Sequence, residues 1–153
     1  MKYKVYIDTS VIGGYYDDEF SEITRLFFER IKKKELMIHL SEISRLELLP
    51  APKQVKEVVY LIPEDCLINL EFTEDAQDLA NHYIKEKILG KASLNDAYHI
   101  AIATVNRLDV LVSWNFKHIV NLDKIRLFNA MNLKLGYPMI EIRTPKELIK
   151  YEN

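Results

Sequence analysis

A chain of 153 residues, 48% hydrophobic and 29% charged, suits one globular domain with a sizeable core and excludes a disordered polymer. Its formal net charge of −2 excludes a globally basic nucleic-acid binder, so a polyanion partner needs a local patch or a bound cation. The single cysteine, Cys66, excludes an internal disulfide framework and zinc sites built on several cysteines.

No apolar run approaches the ~20 residues that span a bilayer, and "MKYKVYIDTS" lacks the apolar stretch of a signal peptide. The expectation is a cytoplasmic protein without membrane contact. One domain is expected over 1–153.

Tyr3–Ile7 is short and β-rich and reads as a buried strand. Ile23, Leu26, Phe27 and Ile31 keep helical spacing and predict a helix over about 20–34, closed by the cations of Lys32–Lys34. Leu36–Leu40 is a second strand. Residues 42–49 read as helix, interrupted by Pro50 and Pro52, and a helix over about 53–62 ends before Pro63. Leu67–Phe72 is a third strand. Ala76, Leu79, Ala80, Tyr83, Ile84 and Ile88 mark a long amphipathic helix. Ser93 opens another that is apolar nearly all round and therefore packed inside. Val110–Val112 is a fourth strand and about 121–135 a helix. Met139–Ile142 is a fifth strand, and "TPKELIK" is a short closing helix with Pro145 at its start. The alternation predicts an α/β fold with a mostly parallel sheet flanked by helices.

Acids stand at the ends of these elements. Asp8 closes the first strand, Glu47 lies on the segment after the second, and Asp96 lies in the first turn of the buried helix. Asn115 follows the fourth strand. Sites on open parallel sheets form beyond the carboxyl ends of strands, so Asp8 and Asn115 can reach one edge. Positions 96, 99, 103 and 106 share a helix face, which puts Asp96, His99 and Asn106 on one polar stripe. Buried acids need a positive partner, and carboxylate oxygens suit Mg²⁺ or Mn²⁺. Each residue also reads singly as local structure. Ser93 to Asp96 and Ser44 to Glu47 match capping boxes, Asp8-Thr9-Ser10 caps a helix, and Asn115 makes a turn. Caps alone do not account for every acid falling at an element end that can face one cleft.

In four ordered segments covering nearly the whole chain, "YIDTSVIGG", "SEISRLEL", "LNDAYHIAIA" and "DVLVSWNFKHI", the sequence resembles the PIN-domain family of metal-dependent ribonucleases, including VapC-type toxins. The resemblance implies a three-layer α/β/α fold with a five-stranded sheet. It implies RNA phosphodiester hydrolysis by metal-activated water, with Mg²⁺ or Mn²⁺ held by Asp8, Asp96 and Glu47. Ser10, Ser113 and Asn115 would order waters or the phosphate. Ser113 falls at the family's Ser/Thr position. Asn115 departs from the family, many of whose nucleases carry Asp there; an amide brings no charge and weakens a second metal site. An antitoxin partner and a homodimer are implied by the resemblance alone.

Around these segments, His99 reads as a satisfied structural histidine, with a carboxylate-orienting or proton-carrying role beside it. Trp114 and Phe116 read as core, and Lys117 is a candidate phosphate contact. Asp109 is expected at the wrong end of the fourth strand. His39 and His82 read as structural or surface residues. Tyr15, Tyr16 and Phe20 either cover the core or form a subunit patch. A binding module that no longer cleaves RNA is the alternative that Asn115 motivates. A phosphatase of the haloacid dehalogenase type ranks low, because Ser10 stands where its second Asp is needed.

Overall fold

In the computed structural model, which describes residues 2–150, β-branched and aromatic runs form strands that alternate with amphipathic helices. The strands are β1 (Tyr3–Ile7), β2 (Leu36–Ser41), β3 (Leu67–Leu70), β4 (Val110–Val112) and β5 (Glu141–Arg143). The helices are α1 (Thr9–Gly14), α2 (Ser21–Lys32), α3 (Glu42–Leu48), α4 (Lys53–Glu57), α5 (Glu74–Lys85), α6 (Leu94–Val105) and α7 (Leu122–Lys134). All four strand pairings are parallel, in the order β3-β2-β1-β4-β5.

The period-2 alternation of the strands divides the core in two. Val5 and Ile7 of β1, Val110 and Val112 of β4 and Leu36, Ile38 and Leu40 of β2 face α1 and α2, against Val11, Ile12, Phe27, Phe28 and Ile31. Tyr6, Leu111 and Ile142 face the other way, against α5, α6 and α7. The result is the three-layer α/β/α arrangement with a five-stranded sheet expected from the sequence. Helix α6 is the most enclosed helix, with residues 99–104 all buried.

Several boundaries differ from expectation, each for a local reason. The segment 53–62 is α4 followed by a 3-10 turn over Val58–Leu61, and α4 starts directly after Pro52. β3 stops at Leu70, because the next N–H groups leave the sheet and Phe72 N donates to Glu42 Oε2. β5 runs over Glu141–Arg143 instead of Met139–Ile142. Asn129 of α7 takes up both the N–H and the carbonyl of Ile140 before the sheet begins. The closing "TPKELIK" segment forms only a 3-10 turn over Pro145–Leu148. Phe116 is half exposed and is not a core residue, whereas Trp114 is buried and stacks on Phe20 at 4.4 Å. Among the described residues, no helix is long and apolar enough to cross a membrane.

The strand order reverses direction between β1 and β4, which makes their shared carboxyl edge the switch point of the sheet. Gly14 fixes the approach of α1 to that edge. A β-carbon on it would stand 2.9 Å from Thr24 Oγ1 and from Cδ1 and Nε1 of Trp114. Those same two side chains are joined by a 2.9 Å Trp114 Nε1 to Thr24 Oγ1 hydrogen bond. Gly14→Ala should therefore destabilise the protein by about 1–3 kcal/mol through overpacking. Gly13→Ala, where no atom lies within 4 Å, should be neutral or mildly stabilising. Urea denaturation of both variants checks the contrast.

Candidate active site

Asp8 leaves the end of β1 and caps the short helix α1, taking Val11 N–H at 3.3 Å. Ser10 donates to its Oδ1 at 2.5 Å and Ser113, just past β4, donates to its Oδ2 at 2.6 Å. Trp114 N–H donates to Ser10 Oγ and Asn115 N–H to Ser113 Oγ, both at 2.9 Å. Backbone and hydroxyls from both sides of the switch point thus converge on one buried carboxylate. Burial pushes the Asp8 carboxyl above its ordinary range, and His99, the two serines and Val11 offset only part of that.

Glu47 reaches the same edge from α3. The capping box of α3 is formed by Ser41 and Ser44, not by Ser44 and Glu47. Ser41 ends β2 in extended conformation and Ser44 is the third residue of the helix, so the box closes at the strand-to-helix junction. Glu47 lies nearly a turn further on and is free to turn inward. Its Oε1 meets His99 Nε2 in a close hydrogen bond and lies 3.3 Å from Thr9 Oγ1. Burial raises the Glu47 carboxyl, but His99, Thr9 and Asn95 outweigh it, and its pKa is lowered.

Asp96 lies in the first turn of α6. The matching expectation, a Ser93 capping box, fails as well. Ser93 ends a 3-10 turn over Lys91–Ser93 at φ −106° and ψ 26°, outside the extended conformation of a capping residue, and its side chain makes no cap hydrogen bond. Asp96 is half-buried and, among the described residues, its carboxylate accepts no hydrogen bond. Burial pushes its carboxyl up, His99 and His118 oppose, and Asp8 and Glu47 add repulsion. Asp96 therefore feels both other acids and is the least compensated of the three.

His99 is fully enclosed and serves Glu47 instead of Asp96. Its other nitrogen, Nδ1, lies 2.6 Å from the Tyr6 hydroxyl, which is 2.7 Å from Ser41 Oγ. Burial opposes the charged ring, but the Tyr6 oxygen, Glu47 and Asp8 outweigh it, and the His99 pKa is pushed up to about 10. The remaining member of the polar stripe, Asn106, turns back to donate to Ile102 O at the end of α6.

Asn115 builds the loop after β4. Its Oδ1 accepts His118 N–H at 3.0 Å, and its carbonyl accepts Ile119 and Val120 N–H. Lys117 is exposed on this loop, and His118 is half-buried with Nδ1 unpartnered. Asp109 is at the opposite end of β4, where Oδ2 takes Lys4 N–H at 2.7 Å. His39 is buried on Val5 O, and His82 is exposed on α5. Sequence reasoning missed Tyr6, Thr9, Ser41 and His118. The one available signal was a tyrosine two residues before Asp8, on the same strand face.

The donors suit a hard divalent cation in kind. Carboxylate oxygens prefer Mg²⁺ or Mn²⁺, and two of them are held above their ordinary range by burial. Among the described residues, no three or more His, Cys, Asp or Glu side chains stand together as a group that could hold a metal ion. Mg²⁺ does not need three protein ligands, since it keeps several waters and takes one or two carboxylates.

No protein-family model matches the chain, and neither does any curated protein sequence. Solved structures match it over most of its length. VapBC2 of Rickettsia felis, bound to a promoter DNA fragment, aligns with TM-score 0.58 over 92% of this chain and 98% of that one, at 15% identity. FitAcB of Neisseria gonorrhoeae aligns at 0.56 over 92% and 97%, with 18% identity. VapC20 of Mycobacterium tuberculosis, a Sarcin-Ricin loop cleaving toxin, aligns at 0.54 over 90% and 98%, with 12% identity. The fold is that of a VapC-like PIN domain.

Two stability measurements follow from the charges. The raised His99 pKa means that the Tyr6–His99–Glu47 bonds stabilise fully below the ordinary value of 6.5 and lose that contribution as pH rises through about 10. His99→Gln should cost about 1–3 kcal/mol at neutral pH, with the gap to the parent closing toward and above pH 10 in urea titrations. Asp96 has the same pH sign, but in a lower pH range. Its carboxyl is raised, so ionisation opposes folding at neutral pH and acidification relieves the cost. In chelator, Asp96→Asn should melt about 2–4 °C above the parent, the equivalent of ~1 kcal/mol in a chain of this size.

Proposed function

We propose that this protein is a metal-dependent endoribonuclease, acting as the toxin of a toxin–antitoxin pair. The observation that carries the reading is that Asp96 feels the charges of both Asp8, at the β1–β4 switch point, and Glu47, with Asp8 and Asp96 pushed up by burial. The fold shared with VapBC and FitAcB structures supports it.

On this reading Asp8 and Asp96 hold a Mg²⁺ or Mn²⁺ ion, and Glu47 binds it directly or through water. The ion supplies a lowered pKa for attacking water and neutralises charge on the phosphate. Ser10 and Ser113 fix both oxygens of Asp8, so that carboxylate is preset. His99 fixes Glu47. Lys117, exposed on the β4 loop, contacts the RNA backbone. The substrate is RNA, the partners are an antitoxin protein and a second copy of the chain, and the setting is the cytoplasm.

Asn115 favours a second reading, a PIN module that binds RNA or a protein without cleaving. Its amide brings no charge, and its Oδ1 is already engaged by His118 N–H.

Purified protein incubated with a mixed RNA pool and Mn²⁺ or Mg²⁺ should cleave it. Chelator should abolish cleavage, and Asp8→Asn and Asp96→Asn should reduce it at least about 100-fold while keeping the parent's circular dichroism spectrum. Variants that cleave like the parent would remove the site assignment. Inactive parent protein that gains cleavage on Asn115→Asp would establish the second reading.

A further inference from the structure

Among the buried groups that the nuclease reading leaves unused is Tyr6. Tyr6 is fully enclosed in the middle of the sheet, yet its hydroxyl touches two polar atoms of other elements. A buried phenol must be satisfied. Here it is satisfied by His99 Nδ1 at 2.6 Å and Ser41 Oγ at 2.7 Å. Ser41 is the N-cap of α3 and is locked by the reciprocal bonds with Ser44. His99 closes the circuit on Glu47 of that same helix.

We propose that Tyr6 is a positioning residue for the metal centre and acts on Glu47 through His99; the inference rests on the nuclease reading above. Three elements meet in this strut. β1 carries Tyr6, the β2–α3 junction carries Ser41, and α6 carries His99. An imidazole rotates about two side-chain bonds, and a hydrogen bond on one nitrogen sets the direction of the other. With Nδ1 held by Tyr6, Nε2 is directed at Glu47. Tyr6 and Asp8 are on one strand face two residues apart, so β1 positions one carboxylate directly and another through the ring. Without the hydroxyl, His99 keeps its place in the core and loses its fixed angle. Glu47, which is about one-quarter exposed, then loses the partner that holds it.

Tyr6→Phe removes one oxygen and preserves the ring, so the variant keeps its core. Mn²⁺ binding, measured by calorimetry on the full chain, should weaken at least about tenfold, the usual effect of losing a partner behind a metal ligand. The same substitution made in a His99→Gln background should add no further loss, because the path from Tyr6 to Glu47 is already cut. RNA cleavage should fall in kcat with KM little changed. Unchanged Mn²⁺ affinity in Tyr6→Phe, or an equal loss in both backgrounds, would overturn the role. A second readout does not depend on the metal. The ring nitrogen NMR shifts of His99 should move in Tyr6→Phe and in Glu47→Gln; a ring insensitive to Tyr6→Phe overturns the strut. Parent protein that binds no Mn²⁺ would refute the nuclease reading, and the proposal with it, even where the nitrogen shifts confirm the hydrogen bonds.

Discussion

Three carboxylates brought to one end of a sheet set the terms for the rest of the structure. Each loses water on burial, and Asp8 and Glu47 raise the cost of ionising Asp96. The chain meets this cost unevenly. Asp8 has two hydroxyls and a backbone N–H. Glu47 has an imidazole, and its pKa falls despite burial. Asp96 has only distant compensation and bears the repulsion of both neighbours. Such an edge is a poor device for stability, and on the proposed reading its use is to hold a cation. Stability comes instead from the two apolar layers, which contain the largest fully buried side chains.

The strands and the enclosed helix were legible because periodicity reports burial directly. Val110–Val112 could be recognised as a strand because every residue in it is apolar and the sheet buries both its faces. Termini were less legible, because they are decided by single hydrogen bonds from distant residues. Asn129 governs where β5 begins, and Glu42 takes the N–H that follows β3. The two capping boxes show the same limit. Ser44-x-x-Glu47 and Ser93-x-x-Asp96 have the right letters, but the first helix starts three residues earlier and the second is entered from a 3-10 turn. In both cases the acid takes no part in the cap. The position of His99 on the Asp96 stripe was readable; its choice of Glu47 was not, since that depends on how α3 packs against α6.

Solved structures only 12–18% identical share the fold. Strand order, the reversal between β1 and β4, and the enclosed helix are backbone properties that many sequences can encode. Chemistry resides in a few side chains mounted on that frame. Here the frame delivers Asp8, Ser113 and Asn115 from adjacent strand ends, so their convergence depends only on the β1–β4 pairing. Glu47 and Asp96 depend on helix packing and need further support. Glu47 receives it from His99, and Tyr6 stands behind that ring.

Asn115 joins the charge count to the loop. Its side chain caps the turn through His118 N–H, and an aspartate would make the same turn equally well. The amide is therefore not required by the backbone, and its consequence is electrostatic. A fourth acid would enter an edge where Asp8 and Asp96 are already driven up by burial. On the proposed reading, one divalent ion and the His99 imidazolium balance three carboxylates, whereas a fourth would leave a net negative charge and favour a second ion. On that reading, the His99–Glu47 pair and the Asn115 amide act in the same direction, toward a centre for a single cation.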